Sequence, residues 1–293
     1  MTLNITMIGE SNSGKTTFLS AVANMILGGT RQGGYGFKFI APTPAISSRY
    51  KKSWTTLQQG EWGPPSQLTQ EYTFHCKYDD SPFKVRGVDH VFTLIDHRGG
   101  LIKESNSDTE QEKYLQCLNK SNAIIVCLGA DRLGADPLNF GTANIDDYHS
   151  MLNYSVSKSP ESFKEYTFIV AITKSDLFNN TDQVRKSTKF IENKFGSYFD
   201  RCRAAMIIPV AIGKKLTGEF VQGGRFKGQV APVNFHLPIL FAFYTATRYT
   251  REHTIFHSNN ERMEAELLKE LANDGIMYYQ GNRLIPNKFV KCT

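Results

Sequence analysis

The sequence has few cysteines, and they form no recognisable metal-binding or disulfide pattern. The five cysteines are odd in number, lie far apart, and include no C-x-x-C pair: Cys76, Cys117, Cys127, Cys202 and Cys292. This pattern argues against both a zinc site and a disulfide framework. It fits best with a reducing compartment. We therefore expect a cytoplasmic protein.

Long apolar runs are also missing. The first apolar run of the chain, Leu3 to Ile8, is too short for a signal peptide and has no basic segment before it. The longest run near the C-terminus, Leu237 to Tyr244, is far below the roughly 20 residues that span a bilayer. We expect no membrane insertion.

A strong excess of one charge is the third missing feature. The formal net charge of +6 is mild for 293 residues and is spread along the chain. A solvated basic surface explains it better than a nucleic-acid interface does. The length allows a full core in one large domain.

Short apolar runs alternate with helix-like stretches, which is typical of a mostly parallel sheet in an α/β fold. Five runs read as strands buried on both faces: Leu3 to Ile8, Val91 to Ile95, Ala123 to Leu128, Thr167 to Ile172 and Met206 to Ala211. Tyr72 to Tyr78 alternates polar and apolar residues and predicts an antiparallel edge strand. The predicted helices are Thr16 to Leu27, Glu110 to Lys120, Ile145 to Ser155, Gln183 to Lys194 and Leu237 to Arg248. Six strands and five main helices result.

Three segments exceed this minimum. Residues 28–68 read as an insertion with helical character at Ala45 to Gln59, and Asp131 to Asn144 reads as a long polar connection. Residues 251–293 follow the main domain of residues 1–250 as an extension. We expect a helix at Glu261 to Leu271 in this extension and a hairpin at Ile276 to Ile285.

The most specific pattern in the chain is G-x-x-x-x-G-K-[ST], matched by Gly9-Glu10-Ser11-Asn12-Ser13-Gly14-Lys15-Thr16. It lies on a predicted strand-to-helix turn, which directs backbone N–H groups and the positive end of a helix at one point. Such a turn suits a triphosphate, with Lys15 reaching the β and γ oxygens and Thr16 binding magnesium. The alternative, a glycine-rich turn with an exposed lysine, fits this placement poorly.

A second pattern ends another apolar strand, where Ile95 is followed by Asp96-His97-Arg98-Gly99. An acidic residue at such a strand tip holds magnesium, directly or through water, opposite the Ser/Thr of the phosphate loop. Gly99 can bring its backbone N–H close to a γ-phosphate because no Cβ intervenes.

A third pattern, Thr173-Lys174-Ser175-Asp176, follows the strand that ends at Ile172. A carboxylate at this position can accept hydrogen bonds from N1–H and the 2-amino group of guanine, whereas adenine offers neither. A site built on such bonds rejects analogues that lack them by about 10⁴ to 10⁵. Lys174 would lay its aliphatic stem over the base. A solvated charged loop is the competing interpretation.

These three motifs, in this order, resemble those of P-loop GTPases with a Ras-like G domain. The resemblance covers roughly residues 1–250 and implies a three-layer fold with helices on both faces of the sheet. It also implies Mg²⁺ as the cofactor and GTP or GDP as the ligand. A narrower similarity, to bacterial conflict or defence GTPases of the double-GTPase type, would make the chain a GTP-gated component of a multi-protein system.

The resemblance implies roles for individual residues. Those expected to contact nucleotide are Gly9, Glu10, Ser11, Asn12, Ser13, Gly14, Lys15, Thr16, Thr17, Thr173, Lys174, Asp176, Ala211 and Ile212. Of these, Thr17 faces the α-phosphate, and the Ala211 N–H is expected to meet guanine O6. The expected magnesium ligands are Thr16, Asp96 and Thr69, with Thr73 and Thr43 as alternatives to Thr69.

One departure from the family concerns catalysis. Many members place a water-orienting glutamine directly after the glycine of the second motif, whereas this chain has Gly100. Slow hydrolysis is expected, since even with that glutamine unaided turnover is only about 10⁻⁴ s⁻¹. The residues expected at the reacting phosphate are Lys15, His97, Arg98, Gly99 and Gly100. His97, Arg98, Glu104 or a partner's arginine could replace the glutamine, although His97 and Arg98 could equally be solvated loop residues.

The leading hypothesis is a GTP-binding switch with slow hydrolysis. Its nucleotide state would change the segments Gly28 to Gln70 and Asp96 to Ser107 and control the binding of a protein effector or GTPase-activating partner. Two alternatives remain open. The chain could be a non-hydrolysing pseudo-GTPase module, or an ATP-dependent P-loop NTPase in which the third motif is incidental.

Overall fold

The computed structural model describes residues 2–27, 37–41, 43–63, 70–78, 90–96, 108–133, 145–158, 166–218, 224–250, 277–280 and 283–285. The strands are β1 Thr2–Ile8, β2 Phe37–Ile40, β3 Gln70–Tyr78, β4 His90–Asp96, β5 Ala123–Gly129, β6 Thr167–Thr173, β7 Ala204–Pro209, β8 Ala211–Gly218, β9 Phe226–Val233, β10 Met277–Gln280 and β11 Arg283–Ile285. The helices are α1 Lys15–Leu27, α2 Pro44–Gln58, α3 Asp108–Asn119, α4 Ala130–Leu133, α5 Ile145–Lys158, α6 Thr181–Phe199 and α7 Leu237–Thr250, and a 3-10 turn spans Ser175–Leu177.

The predicted α/β fold is confirmed. Its six strands lie side by side in the order β7-β6-β5-β1-β4-β3, with β3 antiparallel to β4 and the other pairs parallel. Three further strands lengthen this sheet: β2 pairs with β3, and the β10–β11 hairpin pairs with β7. The strand β3 is therefore not at the edge, because a four-residue strand from the insertion covers it.

The sheet separates two hydrophobic cores, which gives the molecule three layers. In β5, Ile125 and Cys127 belong to one core while Ile124 and Val126 belong to the other, as the two-residue period of a strand requires. Buried residues of α1, α2 and α7 pack in the first core, and those of α3, α5 and α6 pack in the second. Helices thus cover both faces of the sheet, as the resemblance implied.

One predicted strand, Met206 to Ala211, ends earlier than expected. The strand β7 stops at Pro209, and Ala211 begins β8 in a separate two-stranded ribbon with β9. Proline has no N–H to continue the ladder, which accounts for the break. Neither β8 nor β9 was predicted from the sequence.

The insertion and the extension both join the main body. Helix α2 lies within the predicted insertion, begins after the N-cap Thr43, and buries Tyr50, Trp54 and Leu57. The expected hairpin at residues 276–285 is confirmed by the pairing of Tyr278 with Ile285. The expected helix at residues 261–271 lies outside the described residues.

The order of the strands places one crevice in the sheet. The strand β1 lies between β4 and β5, so the chain leaves β1 toward one side of the sheet and later continues on the other. Ligands of open α/β sheets bind outside the carboxyl ends of the strands at such a switch point. The segments that follow β1, β5 and β6 meet at this edge, where Arg132 contacts Ser11, Thr173 contacts Ser13, and Lys174 contacts Asp131.

Candidate nucleotide-binding site

The loop after β1 has an unusual backbone. Asn12 and Gly14 have φ angles of 64° and 84°, in the left-handed region, and the Ser13 N–H donates to the Glu10 carbonyl at 3.2 Å. The first intrahelical bond of α1 runs from the Phe18 N–H to the Gly14 carbonyl at 2.8 Å. The N–H groups of the preceding turn have no acceptor within the helix and carry its positive dipole end. The loop therefore has the geometry of an anion-binding turn.

Gly9 shows how tightly this loop is folded. A Cβ at this position would lie 2.5 Å from Ser13 Oγ and 2.9 Å from the Cys127 carbonyl oxygen. Both distances are too short for a side chain, so the first glycine of the motif is required by packing against β5.

The Lys15 side chain folds back across the loop. It is 5% exposed, and its Nζ donates to the carbonyl oxygens of Gly9 at 2.7 Å and Glu10 at 2.8 Å. These bonds hold the ammonium group on the concave side of the turn. A lysine held in this way is suited to contact phosphate oxygens, in contrast to a lysine that extends into solvent.

Thr173 connects the third motif to this loop. Its Oγ1 is buried 2.5 Å from the Ser13 carbonyl oxygen and 3.2 Å from the Leu128 carbonyl oxygen, so the hydroxyl donates to one of them. The end of β6 is thereby joined to the turn after β1. Thr173 thus supports the loop from the protein side.

Asp176 lies on the 3-10 turn, and its Oδ2 accepts the Leu216 N–H of β8 at 3.1 Å. Burial raises the pKa of this carboxyl, while the Leu216 hydrogen bond and the charge of Lys174 act in the opposite direction. Ala211 and Ile212 are buried beside this turn, since the Ser175 N–H donates to the neighbouring Val210 carbonyl at 3.2 Å. Ala211 and Ile212, which were expected to contact nucleotide, therefore lie next to the Thr173–Asp176 motif.

Neither a scan against protein-family models nor a search of curated proteins returned a match to this chain. The helices within the described ranges are all too short or too polar to cross a membrane.

Lys174 pairs with a residue that the sequence did not single out. It has φ 55° and ψ 32°, and its Nζ donates to Asp131 Oδ2 at 2.7 Å. Asp131 belongs to α4, directly after β5. This pair joins the turn after β6 to the segment directly after β5.

Arg132 makes a similar contact with the phosphate loop. Its Nη1 donates to Glu10 Oε2, and its Nη2 donates to the Ser11 carbonyl at 3.0 Å. The Glu10 side chain is 4% exposed and that of Arg132 is 29% exposed. Asp131 and Arg132 belong to the segment that was predicted as a polar connection. Only their position directly after a buried parallel strand could have indicated that they lie at the candidate site.

Tyr148 also contacts Glu10, and this contact was not predicted from the sequence. This buried residue of α5 accepts the Glu10 N–H at 2.8 Å and donates to the Cys127 carbonyl at 3.3 Å. Nothing in an amphipathic helix distinguishes a tyrosine that holds a loop from one that fills a core.

The predicted residues after β4 are described only in part. Asp96 ends β4, with its backbone opposite Met7 on one side and Gln70 on the other. Its side chain, together with Thr69, His97, Arg98, Gly99, Gly100 and Glu104, lies outside the described residues. Of the alternatives to Thr69, Thr43 caps α2 by accepting the Ile46 N–H, and Thr73 pairs with Thr93 inside the sheet.

The positions of Thr16 and of the Asp96 backbone are compatible with a nucleotide and its metal at this edge. Thr16 lies in the first turn of α1, and Asp96 ends the neighbouring strand at the same edge. Among the described residues, no three His, Cys, Asp or Glu side chains cluster into a metal site. A magnesium ion here would therefore depend on Thr16, Asp96 and the oxygens of the phosphates themselves.

Proposed function

We propose that this chain is a GTP-binding switch that holds GTP or GDP with Mg²⁺ and hydrolyses GTP slowly. The observation that carries the proposal is the hydrogen bond of Thr173 with the Ser13 carbonyl. It connects the loop that would hold phosphates to the turn that would read the base, three residues before Asp176. A phosphate loop and a base-reading carboxylate on one rigid edge favour a nucleotide as the ligand.

The phosphate end of the site is formed by the turn from Gly9 to Thr16. Its backbone N–H groups would hold the β-phosphate, and Lys15 would pair with the β and γ oxygens. Magnesium, bound by Thr16 and Asp96, would neutralise charge on the β- and γ-phosphates.

The base end of the site depends on Asp176. The Leu216 N–H on Oδ2 keeps the carboxylate in one orientation, so it would meet N1–H and the 2-amino group of guanine without first losing rotational freedom. Lys174 would cover the ring with its methylene groups.

Hydrolysis is proposed to be slow, because Gly100 replaces the side chain that orients water in many P-loop GTPases. The segments 28–70 and 96–107 would follow the γ-phosphate and present a different surface to a protein effector in each nucleotide state. We place this activity in the cytoplasm.

The test is binding of fluorescent GTP, GDP and xanthosine triphosphate to the native protein, Lys15→Ala and Asp176→Asn, followed by phosphate release. We expect Lys15→Ala to weaken GTP binding by at least about 10- to 100-fold, since one charge-assisted contact is lost. Asp176→Asn should reverse the preference from GTP to xanthosine triphosphate, because an amide donates to the C2 carbonyl that replaces the amino group.

Melting temperatures of both variants control for folding. Tight GTP binding with no phosphate release over days would favour the pseudo-GTPase. Equal binding of ATP and GTP by the native protein would favour a general NTPase and contradict the proposal.

A further inference from the structure

Arg132 lies at the part of the phosphate loop that would border the γ-phosphate. Lys15 Nζ lies 2.7 Å from the Gly9 carbonyl and 2.8 Å from the Glu10 carbonyl, at the start of the loop. Since this lysine reaches the β and γ oxygens in phosphate loops, the γ-phosphate would lie near this part of the loop. Arg132 contacts Glu10 and Ser11, which belong to the same part.

The partner of Arg132 is a poor neighbour for a triphosphate. Glu10 contributes a nearly buried carboxylate to the loop that would receive the phosphates. The ion pair neutralises this carboxylate in the structure. A γ-phosphate carries more charge than a carboxylate and offers more acceptor oxygens, so it can compete for the same guanidinium.

The side chain of Arg132 has room to exchange partners. Its side chain is 29% exposed, and besides Glu10 it contacts the Ser11 carbonyl at the surface of the loop. Its helix, α4, has only four residues and follows β5 at the edge of the crevice. The residue is thus close to the γ side without being locked in the core.

We propose that Arg132 contacts the γ-phosphate when GTP binds, and that it forms its ion pair with Glu10 when GTP is absent. This inference rests on the proposed function. During hydrolysis, the oxygen of a water molecule bonds to the γ-phosphorus as the bond to the β–γ bridging oxygen breaks. GDP and inorganic phosphate form and one proton is released. Arg132 stabilises the charge on the γ-phosphate oxygens. This stabilisation partly offsets the absence of a water-orienting side chain at Gly100.

The test compares Arg132→Ala and Glu10→Gln, which break the same ion pair from opposite sides. The measurements are the affinities for GTP and GDP and the single-turnover rate of phosphate release. Arg132→Ala should lower the ratio of GTP to GDP affinity by about 10-fold or more, and slow hydrolysis by about 10³-fold. Glu10→Gln should raise that affinity ratio, because the carboxylate no longer competes for the guanidinium.

A purely structural ion pair gives a different result. Both variants would then change GTP and GDP affinities equally and in the same direction, which would overturn the inference. If Arg132→Ala fails to fold, Arg132→Lys takes its place in the experiment. Lysine keeps the charge but lacks the planar guanidinium, so the ratio of GTP to GDP affinity should lie below the native value. Two results together would also overturn it. These are a native affinity ratio and hydrolysis rate in Arg132→Lys, and no rise of the affinity ratio in Glu10→Gln.

Arg185→Ala is the matched control. Arg185 forms an exposed ion pair with Asp182 on α6, and its removal should change neither ratio nor rate. Failure of the native protein to bind GTP at all would refute the proposed function itself. Native GTP binding with an unchanged affinity ratio in Arg132→Ala would refute this inference alone.

Discussion

At the scale of single residues, the site depends on a few side chains that hold backbone in place. Lys15 and Thr173 both hydrogen-bond to carbonyl groups of the phosphate loop. Gly14 adopts φ 84°, a value that costs a residue with a Cβ roughly 1–2 kcal/mol. The loop is thus built before any ligand arrives, which lowers the entropic cost of binding.

Thr173→Val is expected to weaken GTP binding through the loop. The change removes the hydroxyl next to the Ser13 carbonyl and should lower the free energy of unfolding by about 1–2 kcal/mol. Thr167→Val is the matched control at the other end of β6, where a buried hydroxyl lies 2.5 Å from that of Thr245. Chemical denaturation should show similar destabilisation for both, and calorimetry should show weaker GTP binding for Thr173→Val alone. Equal GTP affinities would contradict the proposed role of Thr173.

The protonation of Asp176 predicts how GTP binding depends on pH. Guanine requires the ionised carboxylate, and burial raises the pKa of this group. Affinity should therefore fall as the pH decreases through a value above the ordinary aspartate pKa. The effect on stability has the opposite sign, because the folded state favours the protonated form, so Asp176 costs stability as the pH rises through the same range.

Fluorescent-GTP titrations at a series of acidic pH values measure this dependence. Asp176→Asn has no titrating group here, so its residual affinity for GTP should change less over the same range than that of the native protein. A native pH profile with the midpoint of an ordinary, solvent-exposed aspartate would argue against recognition by Asp176.

Sequence reasoning at this scale found residues whose chemistry and spacing are specific. The strand-loop-helix context of Gly9 to Thr16 left few interpretations, and Asp176 followed from its position after a buried strand. Arg132 and Tyr148 were not found because their contacts with Glu10 join segments that are 122 and 138 residues apart in the chain. Such contacts are set by strand order, and no local pattern encodes it.

At the level of secondary structure, the β8–β9 ribbon connects the turn that carries Asp176 to the insertion. Leu216 of β8 donates to Asp176, while the Trp62 ring lies 4.4 Å from that of Phe226 in β9. The backbone N–H of Trp62 also donates to the Gly224 carbonyl at 3.0 Å. The segment after α2 and the turn with Asp176 therefore contact the same ribbon.

Helix α5 supports the phosphate loop, which Tyr148→Phe tests. Removing the hydroxyl leaves the buried Glu10 N–H without its acceptor and should cost about 1–3 kcal/mol of stability. Tyr166→Phe is the control, since its buried hydroxyl donates to the Leu118 carbonyl at 2.9 Å. Both variants should melt at lower temperature, but GTP affinity should fall in Tyr148→Phe and stay native in Tyr166→Phe. Native GTP affinity in Tyr148→Phe would show that α5 does not position the loop.

The elements were predicted unevenly, for physical reasons. Strands buried on both faces, such as β5 and β6, are continuous apolar runs and were found from the sequence. The strand β2 has four residues, and β9 has one well-buried residue, Phe226, followed by exposed and half-buried ones. Their pairing partners stabilise them, and their own sequences carry little of that information.

At the scale of the whole molecule, the sheet places the proposed site between its two halves. The six predicted strands form its centre, and β2 and the β10–β11 hairpin extend it on either side. Both additions cover strands that would otherwise expose unpaired backbone groups. The segments at residues 64–69 and 97–107, where the predicted γ-phosphate sensors fall, lie outside the described residues.

Isothermal titration calorimetry of the native protein with GTP and with ATP, each with and without Mg²⁺, tests directly whether this chain selects a guanine nucleotide. We expect saturable, magnesium-dependent binding of GTP, with ATP weaker by about 10⁴-fold because Asp176 is left without its guanine partners. Equal affinities for the two nucleotides, or no heat of binding for GTP, would contradict this expectation.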